Sequence, residues 1–109
     1  MPKEAQIIRT AQQLLTRRGA WHIKTHGTGA GRNGTPDIIA TYRGRSLALE
    51  AKQPGRKPTR LQQHELDSAS AAGAISAVIT SRTDIKRILD EIDLELDGNT
   101  TTGPRWEDQ

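Results

Sequence analysis

Two short runs separated by a tight break constrain this chain most. Residues 37–42 (DIIATY) and 46–52 (SLALEAK) are rich in apolar and β-branched side chains and flank Arg43-Gly44-Arg45, a pattern that reads as a β-hairpin. A two-residue turn at Arg43-Gly44 sets Asp37 directly opposite Glu50; Arg-Gly is not the favoured Asn-Gly pair, so this register is an inference from spacing. Upstream, Ile7, Ile8, Ala11, Leu14 and Leu15 recur at helical spacing over residues 2–18, and Gly19 supplies a stop. Residues 21–26 alternate as a short half-buried strand, and residues 27–36, with four Gly and a Pro, form a loop.

Downstream of the hairpin, residues 53–58 are a basic, turn-rich connection. The spacing predicts a helix over 59–72, with Thr59 as N-cap, Gln62 three residues later, Leu61, Leu66, Ala69 and Ala72 on one face, and Gly73 as terminator. Residues 74–80 (AISAVIT) are nearly continuous in apolar character, as expected of a strand buried on both faces. Ser81 caps a last helix carrying Ile85, Ile88, Leu89, Ile92 and Leu96. The order α-β-β-β-α-β-α specifies an α/β domain with a mixed sheet and flanking helices over residues 1–97, followed by a polar, flexible tail at 98–109. A helical crossover between the third and fourth strands requires those two to run parallel if they share a sheet.

The 109 residues leave room for one domain. With no Phe, its core must come from Ile, Leu, Val and Ala, and so thin a core favours burial against a second copy. A formal charge of +3 leans weakly towards a polyanionic partner. The absence of Cys excludes disulfides, thiol catalysis and Cys-based zinc sites. A polar, amphipathic start and the lack of an apolar run of about 18 residues point to a soluble, cytoplasmic protein without a membrane partner.

Chemistry concentrates on the hairpin. Glu50 and Lys52 occupy alternate positions and share a sheet face, which the two-residue turn also gives to Asp37. Opposed carboxylates repel across a strand pair, so a cation is needed. A hard divalent ion such as magnesium takes one or two carboxylates and leaves positions for water and a substrate phosphate, and Lys52 adds a positive group that can orient the water or stabilise developing charge. The plain alternative is a solvated stripe of charges on a surface hairpin. Gly29-Ala30-Gly31-Arg32-Asn33-Gly34 fits a dinucleotide fingerprint in letters only, because a Pro and a strand follow it instead of a helix. His22, His26 and His64 lack zinc spacing.

Taken in order, Gly34-Thr35-Pro36-Asp37, 12 intervening residues, Glu50-Ala51-Lys52, and Thr59-Arg60-Leu61-Gln62 leading through a helix to Gly73 resemble the PD-(D/E)XK nuclease superfamily, and within it the VRR-NUC (virus-type replication-repair nuclease) branch. The opening Lys3-Glu4-Ala5-Gln6 is similar to the first helix of that branch, and the resemblance spans roughly residues 2–81. It implies a restriction-endonuclease-like core and a magnesium or manganese cofactor. It also implies Glu4, Asp37, Glu50 and the Ala51 carbonyl around the metal, Lys52 as the catalytic lysine and Gln62 in support. Cleavage of branched DNA such as Holliday junctions by a homodimer follows from the same resemblance. Glu4 also suits a helix dipole, Gln62 also suits a capping box with Thr59, and Gln63 is its neighbouring alternative. Arg32, Arg43, Arg45, Arg56, Lys57 and Arg60 flank the hairpin and can together track a phosphate backbone. The rival readings are a sequence-specific endonuclease on the same core and a non-catalytic DNA-binding or assembly module.

Overall fold

Seven elements build the molecule in the computed structural model, which describes residues 3–25 and 33–98: helix α1 (Glu4–Arg17), strands β1 (Trp21–Lys24), β2 (Ile38–Tyr42) and β3 (Arg45–Ala51), helix α2 (Arg60–Ala71), strand β4 (Ile75–Ile79) and helix α3 (Arg82–Asp97). Their order matches that read from hydrophobic periodicity. His26, Arg32 and the tail beyond Gly98 lie outside the described residues.

The four strands form one sheet in sequence order, with β1–β2 and β2–β3 antiparallel and β3–β4 parallel, as the helical crossover demands. Tyr42 pairs with Arg45, which leaves Arg43 and Gly44 as a two-residue turn with φ of 50° and 85°. Both central residues therefore take the left-handed conformation of a primed hairpin turn. Arg43 carries a side chain there, and its guanidinium bonds to Asp93 at 2.9 Å and Asp97 at 2.9 Å, contacts that offset the conformational cost.

Alternation along the strands gives the sheet two unlike faces. On one, Ile38, Ala40, Tyr42, Leu47, Leu49, Ala51 and Ile79 pack with the apolar stripes of α1 and α3 into the main core. On the other, α2 packs over β3 and β4, with Leu66 buried and its carbonyl accepting a hydrogen bond from Ser76 Oγ at 2.7 Å. Here cross-strand neighbours fall into three rows: Trp21, Thr41 and Ser46; Ile23, Ile39 and Ala48; and Thr25, Asp37 and Glu50 at the entry end of β2.

Three expectations need correction. Strand β4 pairs only with β3 among the described residues, and of its five residues only Ile79 is buried, so it lies at the sheet edge with helices on both faces but is less deeply buried than expected. Its apolar run is explained by packing between α2 and α3 at that edge. Strand β1 packs against α1 on one face and turns its large side chains to the other, where Trp21 is 59% and Ile23 46% exposed. Of the predicted apolar face of α2 only Leu66 is buried, since the helix touches the sheet along a narrow line.

Candidate active site

Asp37 directly precedes β2, and its side chain is held by a hydrogen bond from the Ala51 N–H to Oδ2 at 2.8 Å. That bond ties the entry of β2 to the far end of β3. Extending the Ile38–Leu49 pairing by one residue puts Asp37 opposite Glu50, the register inferred from the two-residue turn. Glu50 is only 1% exposed and Asp37 6% exposed, so neither belongs to a solvated stripe. Lys52 follows at the half-exposed end of the strand, and its N–H donates to the Ile79 carbonyl at 3.0 Å, anchoring it beside β4.

Burying two carboxylates together is costly unless their lone pairs are satisfied. Burial, reinforced by the charge of Asp37, pushes the Glu50 carboxyl up to about 8, while Lys52 pulls in the opposite direction and the charge of Glu4 adds a smaller upward push. Glu50 Oε1 is fully buried and accepts no hydrogen bond among the described residues. An acceptor left bare in this way, beside a second carboxylate, has the chemistry of an oxygen ligand for a hard cation. The residues present therefore fit a divalent metal: it would satisfy Glu50 Oε1 and remove the carboxylate repulsion.

Glu4, in the first turn of α1, is near enough for its charge to reach Glu50. Yet no group of three or more His, Cys, Asp or Glu side chains among the described residues is assembled to hold a metal. The protein thus offers a two-carboxylate centre, with Glu4 standing apart from it.

Other assignments shift. Gln62 is engaged in a complete capping box: its N–H donates to Thr59 Oγ1 at 3.1 Å and its Oε1 accepts from the Thr59 N–H at 2.8 Å. Capping of the start of α2 accounts for Gln62 without a catalytic role, the alternative the sequence offered for it. Gln63 is directed elsewhere too, donating to Asp67 at 2.9 Å. Arg43 and Arg45 sit at the turn end of the hairpin, opposite to the end that carries Asp37 and Glu50, where they pair with Asp93 and Asp97 and with Glu95. They are correspondingly removed from the candidate DNA contacts. Arg56 and Lys57 are exposed on the connection that leaves the site, and Arg60 is exposed at the start of α2.

One cluster escaped the sequence reading. Asp93 is buried and accepts hydrogen bonds from Tyr42 Oη (2.8 Å), Arg18 (2.8 Å) and Arg43 (2.9 Å), joining α1, the hairpin turn and α3. Burial alone drives its carboxyl upward, but the Arg43, Tyr42 and Arg18 hydrogen bonds outweigh that and hold it below the usual range. The recurrence of Asp90, Asp93 and Asp97 along one side of the last helix was the available signal.

Comparison with known proteins bears on this geometry. Residues 3–90 match the family described as archaeal Holliday junction resolvase (Hjc). Among solved structures, a VRR_NUC domain superposes with a TM-score of 0.70 at 24% identity, covering 83% of this chain and 97% of that one, a likeness of fold. A structure of Archaeoglobus fulgidus Hjc, a Holliday junction resolvase from an archaeal hyperthermophile, is 26% identical over 64% of this chain and 63% of that one, with a TM-score of 0.47. No curated protein matches significantly. The resolvase family and the VRR_NUC fold both fall within the PD-(D/E)XK nuclease superfamily, the superfamily named from sequence.

Proposed function

The chain belongs to the archaeal Holliday junction resolvase family of PD-(D/E)XK nucleases, and from that premise we propose that it is a divalent-metal-dependent endonuclease that cuts branched DNA, four-way junctions in particular. The observation that carries the reading is the buried Asp37–Glu50 pair with its unsatisfied Glu50 Oε1. A solvated hairpin has no reason to bury two acids in contact, whereas a phosphodiesterase needs them there.

Asp37 and Glu50 would hold the metal, with the Ala51 carbonyl and Glu4 as further oxygen donors around it. When bound, magnesium or manganese polarises the phosphoryl oxygen and lowers the pKa of a coordinated water. Lys52 orients the attacking water and balances charge that builds up on the phosphorane-like transition state. The Ala51 N–H fixes the Asp37 carboxylate, so that its rotamer is set before substrate arrives. Arg56, Lys57 and Arg60 supply backbone contacts independent of base sequence, and Arg32, outside the described residues, is a further candidate.

Paired incision at a four-way junction needs two active sites related by a two-fold axis, so the working form is a homodimer. No described helix is long and apolar enough to cross a membrane. A cytoplasmic enzyme with direct access to DNA goes with this reading.

The test is cleavage of linear duplex, single strand, flap and four-way junction, with magnesium and with excess EDTA. Symmetric nicks near the branch point, dependent on magnesium, are the expected result. Undiminished cutting in EDTA would overturn the metal assignment, and equal rates on linear and junction DNA would overturn the preference for branched substrates.

A further inference from the structure

The chain reaches Asp37 through the short run Gly34-Thr35-Pro36, which is fastened at both ends. At its start Gly34 sits on the first turn of α2, so closely that a Cβ there would come within 2.7 Å of Leu61 Cγ and 2.9 Å of the Leu61 carbonyl oxygen. At its end the fastening comes from Thr25, the residue that follows β1. Its N–H donates to the Asp37 carbonyl at 2.9 Å, and its Oγ1 donates to the Pro36 carbonyl with the Asp37 carbonyl 3.3 Å away. One residue thus holds the carbonyls of both peptides that flank the Asp37 Cα.

We propose, resting on the reading of Asp37 and Glu50 as metal ligands, that Thr25 is a positioning residue for the first of them: its hydroxyl fixes the two peptides around Asp37 and so keeps that carboxylate across from Glu50. Peptides are planar units, and the two that meet at a Cα set the direction of its Cα–Cβ bond. The Ala51 N–H then holds the far end of the side chain at 2.8 Å. Asp37 is therefore gripped at its carboxylate from β3 and at its backbone from the end of β1, which leaves the carboxylate little room to swing away. The regular pairing of β1 with β2 stops at Lys24 and Ile38, one residue short of Asp37, and Thr25 carries the hold across that gap. Burial makes the hydroxyl count. Pro36 is buried, so its carbonyl needs a donor, and Thr25 supplies one where a valine of the same shape would not. A group that orients a ligand in this way acts on the metal through it, without touching the metal itself.

Thr25→Val keeps the β-branched shape and removes the hydroxyl, whereas Thr25→Ser keeps the hydroxyl. Manganese binding without DNA is read from the loss of the free-ion electron paramagnetic resonance signal, and cleavage of a four-way junction is followed against magnesium concentration. Thr25→Val should weaken manganese binding about 10-fold or more and raise the magnesium needed for half-maximal cleavage by a similar factor, the scale of losing a partner that orients a ligand. Its rate at saturating magnesium should stay within about 3-fold of wild type, and Thr25→Ser should stay within that range on every measure. Thr16→Val controls for a general loosening of β1, because it removes the 2.7 Å Thr16 Oγ1–His22 Nε2 hydrogen bond at the other end of the strand, and it should leave manganese binding unchanged. Wild-type manganese affinity in Thr25→Val overturns the inference and leaves the metal reading in place. Equal weakening by Thr16→Val, or a Thr25→Ser protein as weak as Thr25→Val, overturns it too. A wild-type protein that binds no manganese overturns the metal reading and the inference with it.

Discussion

The two faces of the central sheet are made by the same strands yet obey opposite rules. Leu47, Leu49 and Ala51 of β3 point into a dry layer closed by α1 and α3, while Ala48 and Glu50, the residues between them, face α2 and the candidate active site. On the first face burial is its own reward, because apolar area leaves water. On the second, burial is a cost that the isolated chain does not recover: an acid is enclosed beside another acid with one oxygen unbonded. Core packing and the candidate site thus occupy alternate residues of one strand, seven residues long.

The sharpest way to break this division is to exchange its consequences. Asp37→Asn, Glu50→Gln and Lys52→Ala should each lower turnover by at least about 10²-fold, the scale of losing a preorganised transition-state contact, with unfolding temperature unchanged or raised. Stopped-time cleavage alongside calorimetry checks both halves, and wild-type turnover in all three variants would remove these residues from the catalytic site. Leu49→Ala, one residue from Glu50, should do the reverse, costing about 2–5 kcal/mol in denaturant unfolding while the protein that remains folded cuts normally.

Acid–base behaviour should also split by face. The Glu50 carboxyl is raised from an ordinary 4.5 to about 8, so the metal-free protein keeps its full contribution below pH 4.5 and loses it as pH climbs through 8. Asp93, on the α3 side, is depressed below 3.8, so its contribution is complete above that value and is lost as pH falls through the lowered one. Urea melts across pH should show Glu50→Gln flattening the alkaline limb and Asp93→Asn flattening the acid limb. A shared effect on one limb would contradict the division. The smallest expected effect is on binding: Arg56→Ala with Lys57→Ala should weaken DNA affinity equally across sequences and reduce its salt slope by about 2, measured by titration at several ionic strengths.

Local chemistry made the fold readable. Helical spacing, Gly19 and Gly73 as stops, and the Thr59–Gln62 box each act within a few residues, and the hairpin register followed from the length of its turn. The Asp37–Glu50 opposition was legible for the same reason. What the sequence withheld were facts about coverage. Trp21 and Ile23 alternate as a buried strand would, but which face lacks a helix depends on where α2 comes to rest. The run 74–80 reads as fully buried because its apolar pattern shows helices on both faces but not that one edge of the strand lies open. Arg43 looked like a free cation beside the site, since its partners Asp93 and Asp97 lie 50 and 54 residues further along the chain.

That separation also sets an order in time. The Tyr42–Asp93 bond closes over 51 residues, which at about 5–20 residues per second takes the ribosome roughly 3–10 s to synthesise. Throughout that interval the hairpin can form from local contacts, but its left-handed Arg43 turn has no anion to brace it, and the sheet has no α3 to seal one face. A nascent chain that has already made Asp37, Glu50 and Lys52 therefore still lacks the packing that holds their strands in place. Helix α3 completes the scaffold, bracing the turn through Asp93 and Asp97 and sealing that face of the sheet.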